Sequence, residues 1–442
     1  MSQTTDDAAY DPLRPVPAAM RALTGVDAFT LWFSLGIGLL VLQSGALLVP
    51  GLGLTTALFA IVAGSLLGAL LLGAGALVGA ETGVASMAGL RPALGVRGAA
   101  VPALLNTIQL VGWGAFELVA MATTADELSK RTFAVSSTPA WAIGFGVLTT
   151  LLAVLGPVSL VRRFLRRYGV WLVIGGAGWL TWQLLARHDL ATIFSKRGDG
   201  ALNFAQGIDL VVAMPISWLP LVADYSRFGA EPAATFKGST LGYLIANVWF
   251  FALGACYALV GASGDTFLYT ALSATGGGIA LLLIIIDETD NAFADVFSAA
   301  ASTGTLIRLK VSRLALFYGA LCTGIALFVP VTAFESFLYL IGAIFAPLFA
   351  VLFVDHFIVR RRKFDADAIM ERGGAYWYTH GFNMMGFAAW IAGMATYQTV
   401  TLKEAGIGAT LPSIAVAAVT YFLLTTAAGL RQGGPPPTGR EK

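Results

Sequence analysis

The sequence predicts an all-α polytopic membrane protein with twelve spanning helices, built as two inverted five-helix repeats with two helices appended. Three observations carry that reading. Apolar residues make up 57% of the 442-residue chain and charged residues only 12%, half the ~25% typical of a soluble domain, and the mean hydropathy is +0.77. The apolar residues gather into runs of roughly 20, the length that crosses ~30 Å of hydrocarbon. Two of those runs, five segments apart, are interrupted by glycine or proline.

The expected spans are 29–49, 54–80, 101–125, 139–157, 169–186, 208–226, 239–263, 277–301, 312–329, 335–354, 383–399 and 410–429. Residues 1–28 read as a polar tail without the apolar core or cleavage site of a signal peptide. Repeat one then occupies 29–186, repeat two 208–354, the appended helices 383–429, and a second tail 430–442. The connections leave no room for a soluble domain. If the N-terminus is inside, most of the 27 Lys and Arg fall in inside segments, RRFLRR at 162–167 and RRRK at 360–363 foremost. The positive-inside bias therefore predicts the cell inner membrane with both termini cytoplasmic.

Segment one, LWFSLGIGLLVLQSGALLVPGLG (31–53), carries helix-weakening Gly36, Gly38 and Gly45, then Pro50, with polar Gln43 and Ser44 at mid-depth. Segment six, DLVVAMPISWLPLVADYSRF (209–228), has Pro215 and Pro220 inside it, and each proline removes a backbone donor and crowds the preceding turn. Irregular backbone at membrane depth survives only where it is buried in protein or lines a cavity. A matched pair of interrupted helices is the mark of a transporter built from inverted repeats, with its site between them. The third helix of each repeat should then turn a polar face to the interruptions. In segment three, Asn106, Gln109, Trp113 and Glu117 share one helical face; in segment eight, Asp287, Asn291, Asp295 and Ser298 do the same.

Segment eight contains LLLIIIDETDNAFADVF (281–297), with Asp287, Glu288, Asp290 and Asp295 in a hydrophobic run. Four ionised carboxyls facing lipid would cost about 10–14 kcal/mol, while six Leu and Ile return only ~2–4. The acids are therefore expected to face a wet cavity, to pair, or to be protonated. Asp287 and Asn291 lie on the main polar face; Glu288 and Asp290 lie off it, and which of Glu288, Asp290 and Asp295 reach the cavity stays open. Cys256 and Cys322 sit inside apolar runs as small core residues, and His188, His356 and His380 share no ligand spacing, so no metal is expected beyond a transported Na+.

Together, the glycine-rich first helix, GWGAFE (112–117), AMPISWLPLVADYSRF (213–228) and DETDNAFADVFSAA (287–300) resemble the nucleobase–cation symporters of the cytosine/allantoin/hydantoin permease type. The resemblance covers roughly residues 25–430, with its nearest match in the branch proposed to carry hydroxymethylpyrimidine, a thiamin precursor. It implies a LeuT-type fold, alternating access, and no enzymatic activity. In that family a third-helix aromatic stacks on the substrate ring, and Trp113 matches it; Glu117, one turn on, matches the side chain that reads the ring edge. The sixth-helix interruption, here with Ser217 and Trp218, and the eighth-helix polar residues complete the site. Gln43 and Gln109 are polar neighbours on helices one and three. Sodium-coupled members hold the ion between first-helix carbonyls, matched by Gly38 and Val41, and eighth-helix hydroxyls. This chain has Asp287 and Glu288 near those hydroxyls, with Asn291 a turn on, which leaves Na+ and H+ both open as coupling ion. Asp224 and Arg227, at the inner end of segment six, read either as a gate pair or as helix capping.

The expected substrate is a pyrimidine-type heterocycle, hydroxymethylpyrimidine or a cytosine-like base, imported with a cation and without a cofactor. Purines, hydantoins and amino acids are the alternatives on the same fold. A lipid-modifying membrane enzyme would need a nucleophile–base pair or metal cluster, and a channel would not require two interrupted helices. The expected partners are the small heterocycle and the lipid bilayer, with no nucleic acid. Nothing in the sequence sets the oligomeric state.

Overall fold

Backbone crossing hydrocarbon has only its own N–H and C=O groups as partners, so it coils into helices. The computed structural model describes residues 14–155, 170–261, 267–307, 309–403 and 406–429; the basic run at 162–167 lies outside them. Each expected span coincides with helix. The first is filled by α1 (Gly25–Leu35) and α2 (Leu39–Leu47), and the next four by α3 (Leu54–Thr82), α4 (Ala100–Phe133), α5 (Thr138–Leu155) and α6 (Val170–Arg187). The sixth holds α7 (Phe204–Ser217) and α8 (Leu219–Ser226), followed by α9 (Pro232–Val260), α10 (Gly277–Ile307), α11 (Val311–Ala326) and α12 (Ala333–Phe353). The chain ends in α13 (Met384–Leu402) and α14 (Thr410–Ala427).

By length and apolarity, seven spans among the described residues can cross a membrane, and the bent α1–α2 pair makes an eighth. That is fewer than the twelve expected, for identifiable reasons. The acids of α10 and the 16-residue length of α11 exclude those two, while Trp, Gln and Thr dilute the apolar runs of α6 and α13.

Helix α3 lies between α7 and α9, α1 packs on α9, and α4 packs on α10. The α3–α7 contact depends on Gly68, because a Cβ there would run into the Pro215 ring. The two interruptions differ in kind. Between α1 and α2 the chain bends by 63°. The first N–H of α2, at Leu39, has no carbonyl one turn earlier, and instead donates to Glu288 Oε2 of α10 at 3.0 Å. Gly38 makes room for that carboxyl, since a Cβ on it would stand 2.6 Å from Glu288 Oε2.

The sixth-segment interruption is milder than the two prolines suggested. Pro215 stays within α7, Pro220 falls in the first turn of α8, and the joint is the single residue Trp218, with helical φ −85° and ψ −14°. A proline in a first helical turn gives up an N–H that has no intrahelical partner anyway. The segment therefore continues as one span with a local tightening, in which the Leu221 N–H donates to the Trp218 carbonyl at 3.0 Å. That shift frees the Ser217 carbonyl.

The two ends of the bundle are pinned separately. At the end bearing residue 14, Arg21 donates to the Val16 and Ala80 carbonyls, and Leu23 bridges to Gly229 beyond α8. There Glu81 of α3 meets His356 Nε2 at 2.7 Å and Arg362 at 3.1 Å, and Asp355 holds Arg360 at 2.8 Å and the Tyr421 hydroxyl at 2.7 Å. At the opposite end, Asp209 of α7 accepts the Ala409 and Thr410 N–H groups at 2.5 and 3.1 Å, capping α14.

Leaving those two N–H groups buried and unpaired costs about 1–3 kcal/mol each. Asp209→Ala should therefore lower the melting temperature of the detergent-purified protein by several degrees, and Asp209→Asn, which keeps one acceptor oxygen, by less. Equal melting temperatures for all three proteins would refute the capping role. Gly38→Ala should likewise displace Glu288 from Leu39 at a cost of about 1–3 kcal/mol, measured by the same melt; an unshifted curve would show that the contact contributes nothing.

Candidate functional site

Where α2, α4, α7, α8 and α10 converge, they line a cavity beside the break between α1 and α2. Its wall includes Gly38, Val41, Gln109, Trp113, Glu117, Ser217, Trp218, Glu288, Asn291 and Asp295. From α4, Gln109, Trp113 and Glu117 enter one helical turn apart, as the spacing requires. Trp113 is held by α12, with Phe334 and Phe337 edge-on at 5.8 and 5.3 Å. Trp218 stands edge-on to Trp32 of α1 at 6.0 Å. The Trp32 ring also meets Tyr225 at 6.2 Å and Tyr243 at 6.3 Å, an aromatic plug on the side of the cavity toward residue 14.

Gln109 shows how the interrupted helix shapes the site. Its Nε2 donates to the freed Ser217 carbonyl at 2.9 Å and to Asn106 Oδ1 at 3.1 Å. Both partners are acceptors, so the amide orientation is determined, and Gln109 Oε1 has no hydrogen-bond partner although the residue is only 4% exposed. Glu117, 5% exposed, likewise has an unpartnered Oε2. The Asp295 carboxyl adjoins it, and Glu288 adds a third buried carboxyl to the same wall. The cavity therefore offers a flat indole between two acceptors on one helix, opposite a set of carboxyls on another.

Four expected site residues are not in the cavity wall. Asp287 is buried but faces away, and Glu288 takes the inward place. At 3.6 residues per turn, Glu288, Asn291 and Asp295 fall within about 60° of arc, and Asp287 lies about 100° round from Glu288. The i, i+3, i+7 stripe from Glu288 was thus the better signal, and it also picks out Asp295, which had been left open. Gln43 is half-buried and also outside the wall, because α2 leads away from the cavity and Gln43 lies about 7 Å along its axis from Gly38. Asp224 and Arg227 are likewise elsewhere. Asp224 Oδ1 accepts the Ser86 N–H at 2.9 Å, the Ser86 hydroxyl accepts the Ala223 N–H at 2.8 Å, and the Arg227 guanidinium lies over Phe228 at 5.0 Å. These contacts tie α8 to the turn after α3. The Gly38 carbonyl, one of the expected ion ligands, accepts the Leu42 N–H at 3.2 Å.

Comparison with known proteins agrees with this architecture. Residues 15–424 match the family described as permeases for cytosine/purines, uracil, thiamine and allantoin. The cytosine permease of Escherichia coli (strain K12) is 26% identical over 411 residues, spanning 87% of this chain and 90% of its own. The allantoin permease of Bacillus subtilis (strain 168) is 25% identical over 401 residues, spanning 79% and 78%. Among solved structures, inward-facing Mhp1 superposes with a TM-score of 0.81 over 94% of both chains at 17% identity. Mhp1 closed around bromovinylhydantoin, described as a nucleobase-cation-symport-1 family transporter, gives 0.79 at 16% identity over 95% of this chain and 96% of its own. At those identities the superposition establishes the fold, which is LeuT-type. The chain therefore belongs to the permease family for cytosine/purines, uracil, thiamine and allantoin, the nucleobase–cation symporters, and is a membrane transporter rather than an enzyme.

Proposed function

We propose that this transporter imports a pyrimidine-type heterocycle bearing an amino group, hydroxymethylpyrimidine or a cytosine-like base, by cation-coupled alternating access. One observation carries the reading: the Trp113 ring sits between two buried, unpartnered acceptors, Gln109 Oε1 and Glu117 Oε2. An unsatisfied buried acceptor costs about 1–3 kcal/mol, so the ligand that fits is one that brings donors. A 4-aminopyrimidine presents N–H donors in the plane of a ring whose face can stack on indole. The names of the relatives, cytosine and allantoin permeases among them, agree with a small planar heterocycle as cargo.

Trp113 is assigned to stacking, Gln109 and Glu117 to the ring edge, and Ser217, Trp218 and Asn291 to the remaining wall. Residues 29–186 and 208–354 are assigned to the two repeats, with the cavity between their interrupted helices. Both termini are assigned to the cytoplasm. Arg21, Arg91, Arg97 and Arg360 engage carbonyls or rings of the same end of the bundle, in keeping with the positive-inside rule. Asp224 and Arg227 lie at that end as the gate candidates, fastening α8 to the turn at Ser86.

Cells expressing the protein should accumulate labelled hydroxymethylpyrimidine or cytosine. Trp113→Ala should lower uptake at limiting substrate about tenfold or more, since stacking contributes up to ~1.5 kcal/mol beyond area burial and 1.4 kcal/mol is a factor of ten. Undiminished transport by the variant would remove the stacking role. In competition assays, Glu117→Gln should weaken inhibition by aminopyrimidines more than by analogues without the amino group; an unchanged order of inhibitors would take ring-edge recognition away from Glu117.

A further inference from the structure

The cavity raises a question about the ion that drives transport, and its answer rests on the heterocycle reading above. Glu117, Glu288 and Asp295 are the charged residues of the wall, and among the described residues no Lys, Arg or His lines it. The contributions of α1, α2, α7 and α8 are uncharged. Cys322 of α11 is the other titratable group beside Glu117 and Asp295, and Asp287 and Asp290 adjoin Glu288 on its own helix. Three buried carboxyls in one wall with no basic residue beside them cannot all be ionised, so the adjoining pair Glu117 and Asp295 holds a proton. Apart from that proton, the unpartnered Gln109 Oε1 and Glu117 Oε2 show that the same space is built to receive hydrogens.

Sodium fits the break less well. Small hard cations need several oxygens converging on one point, and the bend between α1 and α2 instead turns the Leu39 N–H toward Glu288. A helix N-terminus favours anions and disfavours cations. Glu288 thus occupies that position as the hydrogen-bond partner of α2.

We propose that the coupling ion is a proton, held between Glu117 and Asp295 inside the substrate cavity and carried across with the heterocycle. The proton reaches the pair from the outer solution, the substrate then donates to Glu117 Oε2, and both leave to the inner solution. One proton therefore crosses for each uncharged substrate, and no bond other than those to the proton is made or broken.

The test is transport by the full-length protein in sodium-free proteoliposomes, with potassium and valinomycin clamping the potential at zero and labelled hydroxymethylpyrimidine and cytosine as probes. An inside-alkaline gradient of one pH unit should give about tenfold accumulation, the free energy of one proton per substrate. An inward sodium gradient at equal pH should give none. Accumulation driven by sodium, or by neither gradient while labelled-for-unlabelled exchange proceeds, overturns the proton assignment and leaves the transport reading standing. Absence of exchange for both probes overturns the transport reading and the proton assignment with it. Asp295→Asn and Glu117→Gln are read in parallel by ligand-induced thermal shift across pH, which needs no turnover. Binding by the wild type should change with pH and the variants should lose that dependence; variants that keep it would overturn the assignment to this pair.

Discussion

The contact on which the rest of the molecule depends joins Glu288 to the Leu39 N–H across 249 residues of sequence. A membrane helix broken at mid-depth exposes donors that neither water nor lipid can satisfy. Here the first of them is taken by a carboxylate from the other half of the chain, lying against Gly38 and only 1% exposed. One residue thereby closes the break in α1–α2 and places a carboxyl at the cavity wall. It also ties the helix that bends most sharply to the helix that carries the acids, so any change at the carboxyl cluster acts directly on the hinge.

The two interruptions divide the work unequally. The α1–α2 break is a real bend, with a change of direction and a capped new N-terminus. The α7–α8 joint stays within a single span; it releases the Ser217 carbonyl, which Gln109 then claims. That hydrogen bond fixes the Gln109 amide so that its oxygen, rather than its nitrogen, faces the cavity. A structural adjustment at the α7–α8 joint thus sets the donor–acceptor polarity of a side chain on α4. An amide free to flip would accept either kind of ligand edge.

Much of this was legible in the sequence, for reasons that can be named. The third-helix face was readable because Gln109, Trp113 and Glu117 repeat at helical spacing in an otherwise apolar run, where each polar residue needs a reason. The first break was readable from its glycines. Choosing Asp287 over Glu288 was a phase error: in a stretch with acids at 287, 288 and 290, more than one face looks polar, and only the position of α2 decides between them. The proline pair overstated the second break because a proline's effect depends on where in the turn it falls, and Pro220 falls where it is tolerated. The clasps at the ends, Asp209 to the start of α14 and Glu81 to His356, join residues some 200 and 275 positions apart. No local pattern announces them, since each partner alone reads as an ordinary polar residue near a helix end.

Those clasps also bear on which parts can move. Asp209 fastens α7 to α14 at one end, and Glu81 and Asp355 fasten α3, α14 and the segment after α12 at the other. The α1 helix is held by backbone bonds around Leu23 at its start, by close backbone packing on α9 at Gly238 and Gly242, by the aromatic contacts of Trp32 and by the carboxyl at the break. Rings meeting edge to face at about 6 Å can slide past one another at small cost, whereas a buried carboxyl cannot be parted from its N–H and O–H donors without leaving buried polar groups unpaired. The contacts of Trp32 with Trp218 and Tyr225 are therefore the cheapest to part on the side of the cavity toward residue 14, whereas α1 and α9, in backbone contact at Gly238 and Gly242, hold together.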